Sequence, residues 1–177
     1  MSRHTCYRSI PIPDTVRITT TNGTLHFQGP LGRVSLDVAR MDPQARVAYR
    51  VQDSLDIVAA HPRLAGLWAG RCHSLLHGIT RGYSVTLGVK GIGYRVRVQG
   101  DTVYFKLGYS HDIVYRVPSG ISVYTPDAST LVVFGVDSAH IHQVAAHLVA
   151  LRPPSAYQTR GIYRLHRVYS RKAGKRK

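Results

Sequence analysis

The sequence predicts an α+β fold of two similar lobes from internal duplication, each a small antiparallel sheet with one packed helix, followed by a basic C-terminal extension. Three observations support this fold class. Short alternating strands fill both halves of the 177-residue chain, an amphipathic helical pattern closes each half, and the C-terminus is rich in Lys and Arg with no acid. We therefore divide the chain into a first lobe (1–82), a second lobe (83–151) and a basic tail (152–177).

The first lobe begins with short strands separated by turns. Segments 16–20 and 24–28 flank Asn22-Gly23, a dipeptide typical of two-residue hairpin turns. Further strands are predicted at 34–38, 47–51 and 55–58. From Pro62 onward, apolar residues recur at steps of three and four until Gly82, which predicts one amphipathic helix.

The second lobe repeats this order of elements. Polar and apolar residues alternate in 83–89, 94–98, 103–107 and 113–117, and the apolar run 131–134 follows. Asp137 is suited to cap a helix in which apolar residues recur up to Leu148, and Pro153-Pro154 ends that helix. The segment 22–29 is similar to 100–108, as expected if the lobes arose by duplication.

Charge is the most unusual property of the composition. The chain has 24 Lys and Arg residues against 9 acidic ones, all of them Asp, for a net charge of +15. The absence of Glu excludes a Glu general base and a paired-Glu site. Nine of the bases lie in 152–177, and the last acid is Asp137. Such a tail is expected to be ordered mainly against a polyanion, with nucleic acid as the leading partner.

Aromatic residues are interleaved with these bases. Tyr157, Tyr163, His166 and Tyr169 offer faces on which bases can stack, and the Arg side chains offer planar donors for phosphate. We expect deletion of 160–177 to weaken RNA binding and to leave the lobes folded.

Other chemistries have weaker support. His73 and His77 share a helical face, but positions 74–76 are Ser-Leu-Leu, without the Glu that a zinc site of the H-E-x-x-H type uses. A histidine-site metalloenzyme and a free-standing DNA-binding protein remain the alternatives. Gly91 and Gly93 match no phosphate-binding loop, and we predict a bulged, closely packed strand there. Two cysteines support neither a disulfide scaffold nor a four-cysteine zinc site.

Several motifs in the second lobe and tail resemble one known family. These are Lys90-Gly-Ile-Gly-Tyr-Arg95, Leu107-Gly-Tyr-Ser-His111, Val117-Pro-Ser-Gly-Ile121, Gly135-Val-Asp137, Gln143-Val-Ala-Ala146 and Arg152-Pro-Pro with Tyr157 and Gly161. In this order and spacing they resemble ribosomal protein six of the large subunit. A looser similarity at Ser9-Ile-Pro-Ile-Pro13 extends the resemblance to the first lobe.

The resemblance implies a duplicated α+β fold with no catalytic activity and no cofactor. It implies that large-subunit ribosomal RNA is bound close to the sarcin-ricin loop and the site of translation factors. Neighbouring large-subunit ribosomal proteins are the other expected partners, and neither a membrane nor a small-molecule substrate is expected. The family places most RNA contacts in the second lobe and tail. Carried over by position, the expected RNA-binding residues are Arg95, Tyr109, Ser110, His111, Arg152, Tyr157, Arg160, Gly161, Tyr163, Arg164, Arg167, Arg171, Lys172, Lys175, Arg176 and Lys177.

The sequence also departs from the family pattern. Where the family usually has Pro-Glu-Pro-Tyr-Lys-Gly-Lys-Gly, this chain has Pro154-Ser-Ala-Tyr-Gln-Thr-Arg-Gly161 and so lacks two lysines. Ser138 replaces a usual Lys, and His142 replaces a usual Gly. These departures resemble organellar relatives, which favours a mitochondrial ribosome over a bacterial cytoplasm or a plastid.

Overall fold

The computed structural model describes residues 6–158, 160–170 and 172. The chain folds into two compact units, unit 1 (Met1–Gly82) and unit 2 (Tyr83–Lys177). Every strand pairing that joins described residues is antiparallel, and each unit contains small sheets and a long helix. The predicted α+β class with two similar halves is confirmed.

Unit 1 divides its strands between two sheets, where one sheet was predicted. One sheet has the order β2-β3-β4 and the other β1-β6-β5. The strands are β1 (Cys6–Pro11), β2 (Arg17–Thr21), β3 (Thr24–Gly29), β4 (Gly32–Asp37), β5 (Val47–Val51) and β6 (Ser54–Ala59). The helices are the short α1 (Val38–Met41) and the long α2 (Pro62–Thr80).

Local sequence explains the turns and ends of unit 1. Asn22 and Gly23 have φ values of 49° and 71°, the left-handed conformations that a tight hairpin turn between β2 and β3 requires. Pro62 stands at the start of α2, where its missing N–H is tolerated, and Gly82 follows the helix with φ 76°. The core is formed where α2 packs its buried residues, among them Trp68, against strands of both sheets.

Unit 2 has the same two-sheet plan with one strand more. Its sheets have the orders β8-β9-β10 and β11-β12-β7-β13. The strands are β7 (Tyr83–Lys90), β8 (Arg95–Gln99), β9 (Thr102–Lys106), β10 (Ile113–Arg116), β11 (Ile121–Asp127), β12 (Thr130–Gly135) and β13 (Gly161–Arg164). The helix is α3 (Ser138–Leu151).

Helix α3 covers the four-stranded sheet of unit 2. The Asp137 side chain accepts a hydrogen bond from the Ala139 N–H at 3.1 Å, so the predicted N-cap is confirmed. The buried α3 residues Ile141, Val144 and Leu148 pack in one core with Leu87 and Phe105. Their burial follows the predicted three- and four-residue spacing.

Part of the predicted basic tail is a strand of unit 2, because residues 161–164 form β13. Its four residues pair with β7, and Ile162 is completely buried in the core of unit 2. A deletion starting at residue 160 would remove this strand, so the expectation that such a deletion leaves the lobes folded does not fit the structure. Strand β13 was missed because the alternation of four residues is too short to stand out in a basic segment. Strand β1, which has six residues, was missed as well.

Candidate nucleic-acid interface

Strand β13 attaches the basic C-terminal segment to unit 2. The Ile162 N–H donates a hydrogen bond to the Arg152 carbonyl at 2.7 Å, which closes the loop from 152 to 161. Gly161 has φ 134°, and a Cβ atom there would lie 2.7 Å from the Arg152 carbonyl oxygen. Only glycine can adopt this φ and leave room for the Arg152 carbonyl. Gly161 therefore contributes by allowing this backbone conformation, because it has no side chain to contact RNA.

Tyr109 and Arg152 form a stacked pair at the end of α3. The Arg152 guanidinium carbon lies 4.6 Å from the centroid of the Tyr109 ring. The Tyr109 hydroxyl donates a hydrogen bond to the Leu151 carbonyl at 3.2 Å, which fixes the ring. A hydrogen bond with Tyr109 raises the pKa of Arg152 above its ordinary value, and Tyr94 contributes in the same direction. A guanidinium stacked in this way keeps its planar edge available for phosphate.

Tyr94 lies near Arg152, and two glycines make room for its ring. A Cβ atom at Gly91 would lie 2.5 Å from the Tyr94 ring, and one at Gly108 would lie 3.0 Å from it. Gly91 lies in a turn between β7 and β8, so the predicted bulged strand is wrong, although the predicted close packing is present. The packing of Tyr94 explains why glycines occur in both the Lys90–Arg95 and the Leu107–His111 motif.

An open groove of about 320 Å³ begins at the stacked pair. Its lining combines two guanidinium groups with hydroxyl and amide groups, all of which can donate hydrogen bonds to phosphate oxygens. The lining residues are Tyr109, Arg152, Pro153, Ser155, Gln158 and Arg160. Three of the predicted residues therefore line the same groove, while Ser155 and Gln158 were missed because each replaces a charged residue of the family pattern.

The outer face of β13 presents aromatic rings. The Tyr163 ring lies over Gly88, where a Cβ atom would be 2.6 Å from it. Tyr169 meets Tyr163 edge to face at a centroid distance of 6.4 Å, and its hydroxyl accepts a hydrogen bond from the Arg164 N–H at 3.2 Å. Arg167 lies 5.5 Å from the Tyr169 ring centroid. Tyr169 and Arg167 thus pack back against β13, and Tyr169 belongs to this surface.

Arg164 lies on the other face of β13, toward α3. Its Nη2 donates a hydrogen bond to the His142 carbonyl at 3.0 Å. Because a main-chain oxygen is the acceptor, this contact does not depend on the side chain at position 142. Arg164 is half-buried and links helix α3 to the edge strand β13. Its side chain therefore supports the fold of unit 2 and also adds a positive charge to it.

The remaining predicted residues are distributed around these features. Ser110 and His111 are exposed next to Tyr109 in the sequence, and Tyr157, which is 65% exposed, lies in the loop from 152 to 161. The Lys172 N–H donates to the Ala156 carbonyl at 3.0 Å. Arg95 lies on β8, in the other sheet, and does not line the groove. Four of the predicted residues lie outside the described residues: Arg171, Lys175, Arg176 and Lys177.

The histidines do not form a metal centre in the part of the chain that the structure describes. Within 6–158, 160–170 and 172, no three His, Cys, Asp or Glu side chains lie close enough to hold an ion. The described helices include none that is long and apolar enough to cross a membrane.

A basic and aromatic segment fixed along an antiparallel sheet is typical of nucleic-acid-binding proteins. The family model described as "Ribosomal protein L6" matches residues 90–164. "Large ribosomal subunit protein uL6" of Erythrobacter litoralis is 34% identical over 178 residues, which cover 96% of this chain and 97% of that protein. The protein of the same name from Zymomonas mobilis is 34% identical over 176 residues, with the same coverage. "Large ribosomal subunit protein uL6m" of Prototheca wickerhamii is 33% identical over 184 residues, covering 95% of each chain.

The chain therefore belongs to the uL6 family of large ribosomal subunit proteins, of bacterial or organellar type. This family is not enzymatic, so the prediction that the chain is not an enzyme is confirmed.

Proposed function

We propose that this protein is a structural constituent of the large ribosomal subunit that binds large-subunit ribosomal RNA near the sarcin-ricin loop and the translation-factor site. Its RNA interface is the groove at Tyr109 and Arg152, together with the segment from Arg160 to the C-terminus. Neighbouring ribosomal proteins and passing translation factors are its other contacts, as the family resemblance implies.

The observation that supports this proposal best is the stacking of Arg152 on Tyr109 within a groove that also contains Arg160. Two arginines line this groove, and no acidic residue follows Asp137 in the sequence. Phosphates are bound strongly by such planar donors, and counterions are released when they bind.

Order within the segment adds to the affinity. Residues 161–164 are already paired with β7, and Tyr169 is already packed on Tyr163. Side chains that are held before binding lose less conformational entropy when they bind. The segment therefore combines a preformed part at β13 with a highly basic end.

The test compares two variants with equal charge change. Arg160→Gln with Arg167→Gln removes two exposed cations from the interface, and Arg40→Gln with Arg63→Gln removes two exposed cations from unit 1. The probe is a transcript of the ribosomal RNA domain that contains the sarcin-ricin loop. We expect the interface variant to bind about tenfold more weakly at 0.1 M salt, with the slope of log affinity against log salt reduced by about 1.8.

The control variant should bind the transcript nearly as well as the wild type. Equal losses in both variants would mean that only overall charge matters, and this result would contradict the proposed interface. Full-length protein that fails to cosediment with large subunits in a sucrose gradient would contradict the proposed role as a whole.

We further propose that the ribosome in question is mitochondrial. Support comes from Ser138 and His142, which depart from the usual family residues in the manner of organellar relatives. Fractionation of the source cells tests this. The protein should be protected from protease inside purified mitochondria and should sediment with their large subunits, whereas recovery from plastids or from a bacterial cytoplasm would refute the assignment.

A further inference from the structure

We propose that the solvent face of the β8-β9-β10 sheet is a second RNA-binding surface of unit 2. Arg97 and Lys106 would contact phosphates there, and Tyr104 would stack on a base. The inference rests on the proposed function, because it takes ribosomal RNA as the polyanion. It extends the interface to residues that neither the motifs nor the groove include.

Strand alternation places these side chains on one face. Arg95 and Arg97 on β8 are exposed, while Val96 between them is buried. On β9, Tyr104 and Lys106 are exposed on either side of a buried phenylalanine. Since successive side chains of a strand point to opposite faces, the cations and the ring share the face turned away from the core.

The register brings two cations directly opposite each other. Arg95 on β8 pairs with Lys106 on β9, and Arg97 pairs with Tyr104. Directly opposed like charges destabilise an antiparallel pair. Such a pair is relieved when a phosphate lies between the two cations, so an anion is the ligand that fits this arrangement.

The centre of the face is suited to a base. Tyr104 is 36% exposed, and its neighbour across the strands on β10, Val114, is 59% exposed. An exposed ring beside a guanidinium can stack on a base while the guanidinium contacts the adjoining phosphate. Exposed cations beside an exposed ring match the phosphates and bases of an RNA strand, so the observations favour RNA.

Two carboxylates limit the direction in which RNA can lie. A groove of about 880 Å³ runs over this face, and Asp112 and Asp127 line it together with the three cations. Neither carboxylate belongs to the three strands of the sheet. The two carboxylates repel phosphate. The phosphate backbone of the RNA is therefore expected to follow the row of cations from Arg95 and Lys106 to Arg97.

Unit 1 offers a matched control face. In its β2-β3-β4 sheet, Arg17 and Arg33 are exposed on the two outer strands, and each lies opposite Gln28 on β3. The face thus has two exposed Arg residues but no directly opposed cations and no tyrosine. Removing these two charges changes the net charge as much as removing Arg97 and Lys106.

The experiment measures binding of the same sarcin-ricin-loop transcript by full-length protein at several salt concentrations. Arg97→Gln with Lys106→Gln should lower the affinity about tenfold at 0.1 M salt and reduce the salt slope by about 1.8. Tyr104→Ala should lower the affinity about tenfold and leave the slope unchanged, because stacking releases no counterions. Arg17→Gln with Arg33→Gln should change the affinity less than threefold.

Unfolding curves distinguish lost binding from lost folding. Lys106→Gln removes one of two opposed cations, so its unfolding midpoint should be no lower than that of the wild type. A lower midpoint would overturn the assignment, because Lys106 would then be needed by the fold.

The remaining outcomes separate this inference from the proposed function. Equal binding by the wild type and by the Arg97 and Lys106 variant, with binding still lost on changing Arg160 and Arg167, would overturn the second surface alone. If that variant kept RNA binding but no longer joined large subunits, the partner would be a protein and the RNA assignment would be wrong. No binding by the wild type would overturn both proposals.

Discussion

Units 1 and 2 have the same strand order but differ at one sheet edge. In unit 1 the order β1-β6-β5 leaves β1 at the edge among the described strands, while in unit 2 the equivalent β7-β12-β11 is extended by β13 on β7. The extra strand comes from the most basic part of the chain. The extra strand of unit 2 therefore lengthens a sheet at an edge and adds the buried Ile162 to the core of that unit.

The largest expected effect concerns the strand that only unit 2 has. Ile162→Ala should lower the free energy of unfolding of unit 2 by about 2–5 kcal/mol, because a completely buried side chain leaves a cavity. Chemical denaturation monitored by tyrosine fluorescence measures this. Leu165→Ala, at a position that is 47% exposed, is the control and should cost less than about 1 kcal/mol. Equal costs would mean that β13 contributes no core packing.

Gly161→Ala tests the backbone geometry where β13 begins. A methyl group would lie 2.7 Å from the Arg152 carbonyl oxygen at a φ of 134°. We expect a loss of about 1–3 kcal/mol in the stability of unit 2, and weaker RNA binding as the loop from 152 opens. A variant as stable as the wild type would show that the loop can shift without cost.

Gly70→Ala should act in the opposite direction in unit 1. Gly70 lies in helix α2, and a Cβ atom there would meet nothing within 4 Å. Alanine in a helix interior is favoured over glycine, so the free energy of unfolding of unit 1 should rise by about 0.5–1 kcal/mol. Thermal unfolding measures the change. A destabilised variant would indicate that α2 is constrained at this position in the wild type.

The smallest expected effect is a pH dependence of stability that arises from Asp56 on β6 of unit 1, for which unit 2 has no counterpart on the equivalent strand. Hydrogen bonds from Ser9, Tyr7 and Ser54 hold the pKa of Asp56 below 3.8, and β12, the equivalent strand of unit 2, has no acidic residue. A carboxylate with a lowered folded-state pKa stabilises the fold above its unfolded-state pKa, and this stability is lost as pH falls through the folded-state pKa. Asp56→Asn should therefore be less stable than the wild type at neutral pH.

The stability difference between the wild type and Asp56→Asn should shrink as the pH is lowered below about 4. Unfolding midpoints of the two proteins from pH 7 to pH 3 measure this. A difference that stays constant with pH would show that the hydrogen bonds do not depend on the charge of Asp56.

Much of the fold could be predicted because its signals are local. The hairpin at Asn22-Gly23, the N-cap at Asp137 and the helix from Pro62 each depend on a few adjacent residues, and the structure contains all three. Strand β13 could not be predicted in the same way. It has only four residues, and it is stabilised by pairing with β7, which lies about 70 residues earlier in the chain.

In the candidate site, too, single residues could be predicted from the sequence, but their arrangement in space could not. Tyr109, Arg152 and Arg160 were all expected from the family resemblance, but nothing in the sequence indicated that they line one groove. Ser155 and Gln158 were missed because they replace the residues usual in the family. Tyr104 and Lys106 were missed because alternation indicates only that they share a face, whereas the β8-β9 register shows what they face.

The sequence by itself determined the α+β class, the duplication, the ends of the long helices and the concentration of positive charge after Asp137. These properties depend on composition and on periods of two or three to four residues, which are visible within short windows. Only the tertiary structure decided that β13 extends a sheet, that Arg152 stacks on Tyr109, and that Arg95 faces Lys106. Those features depend on pairing and packing between distant parts of the chain, where the free energy of burial selects one arrangement among many with the same local pattern.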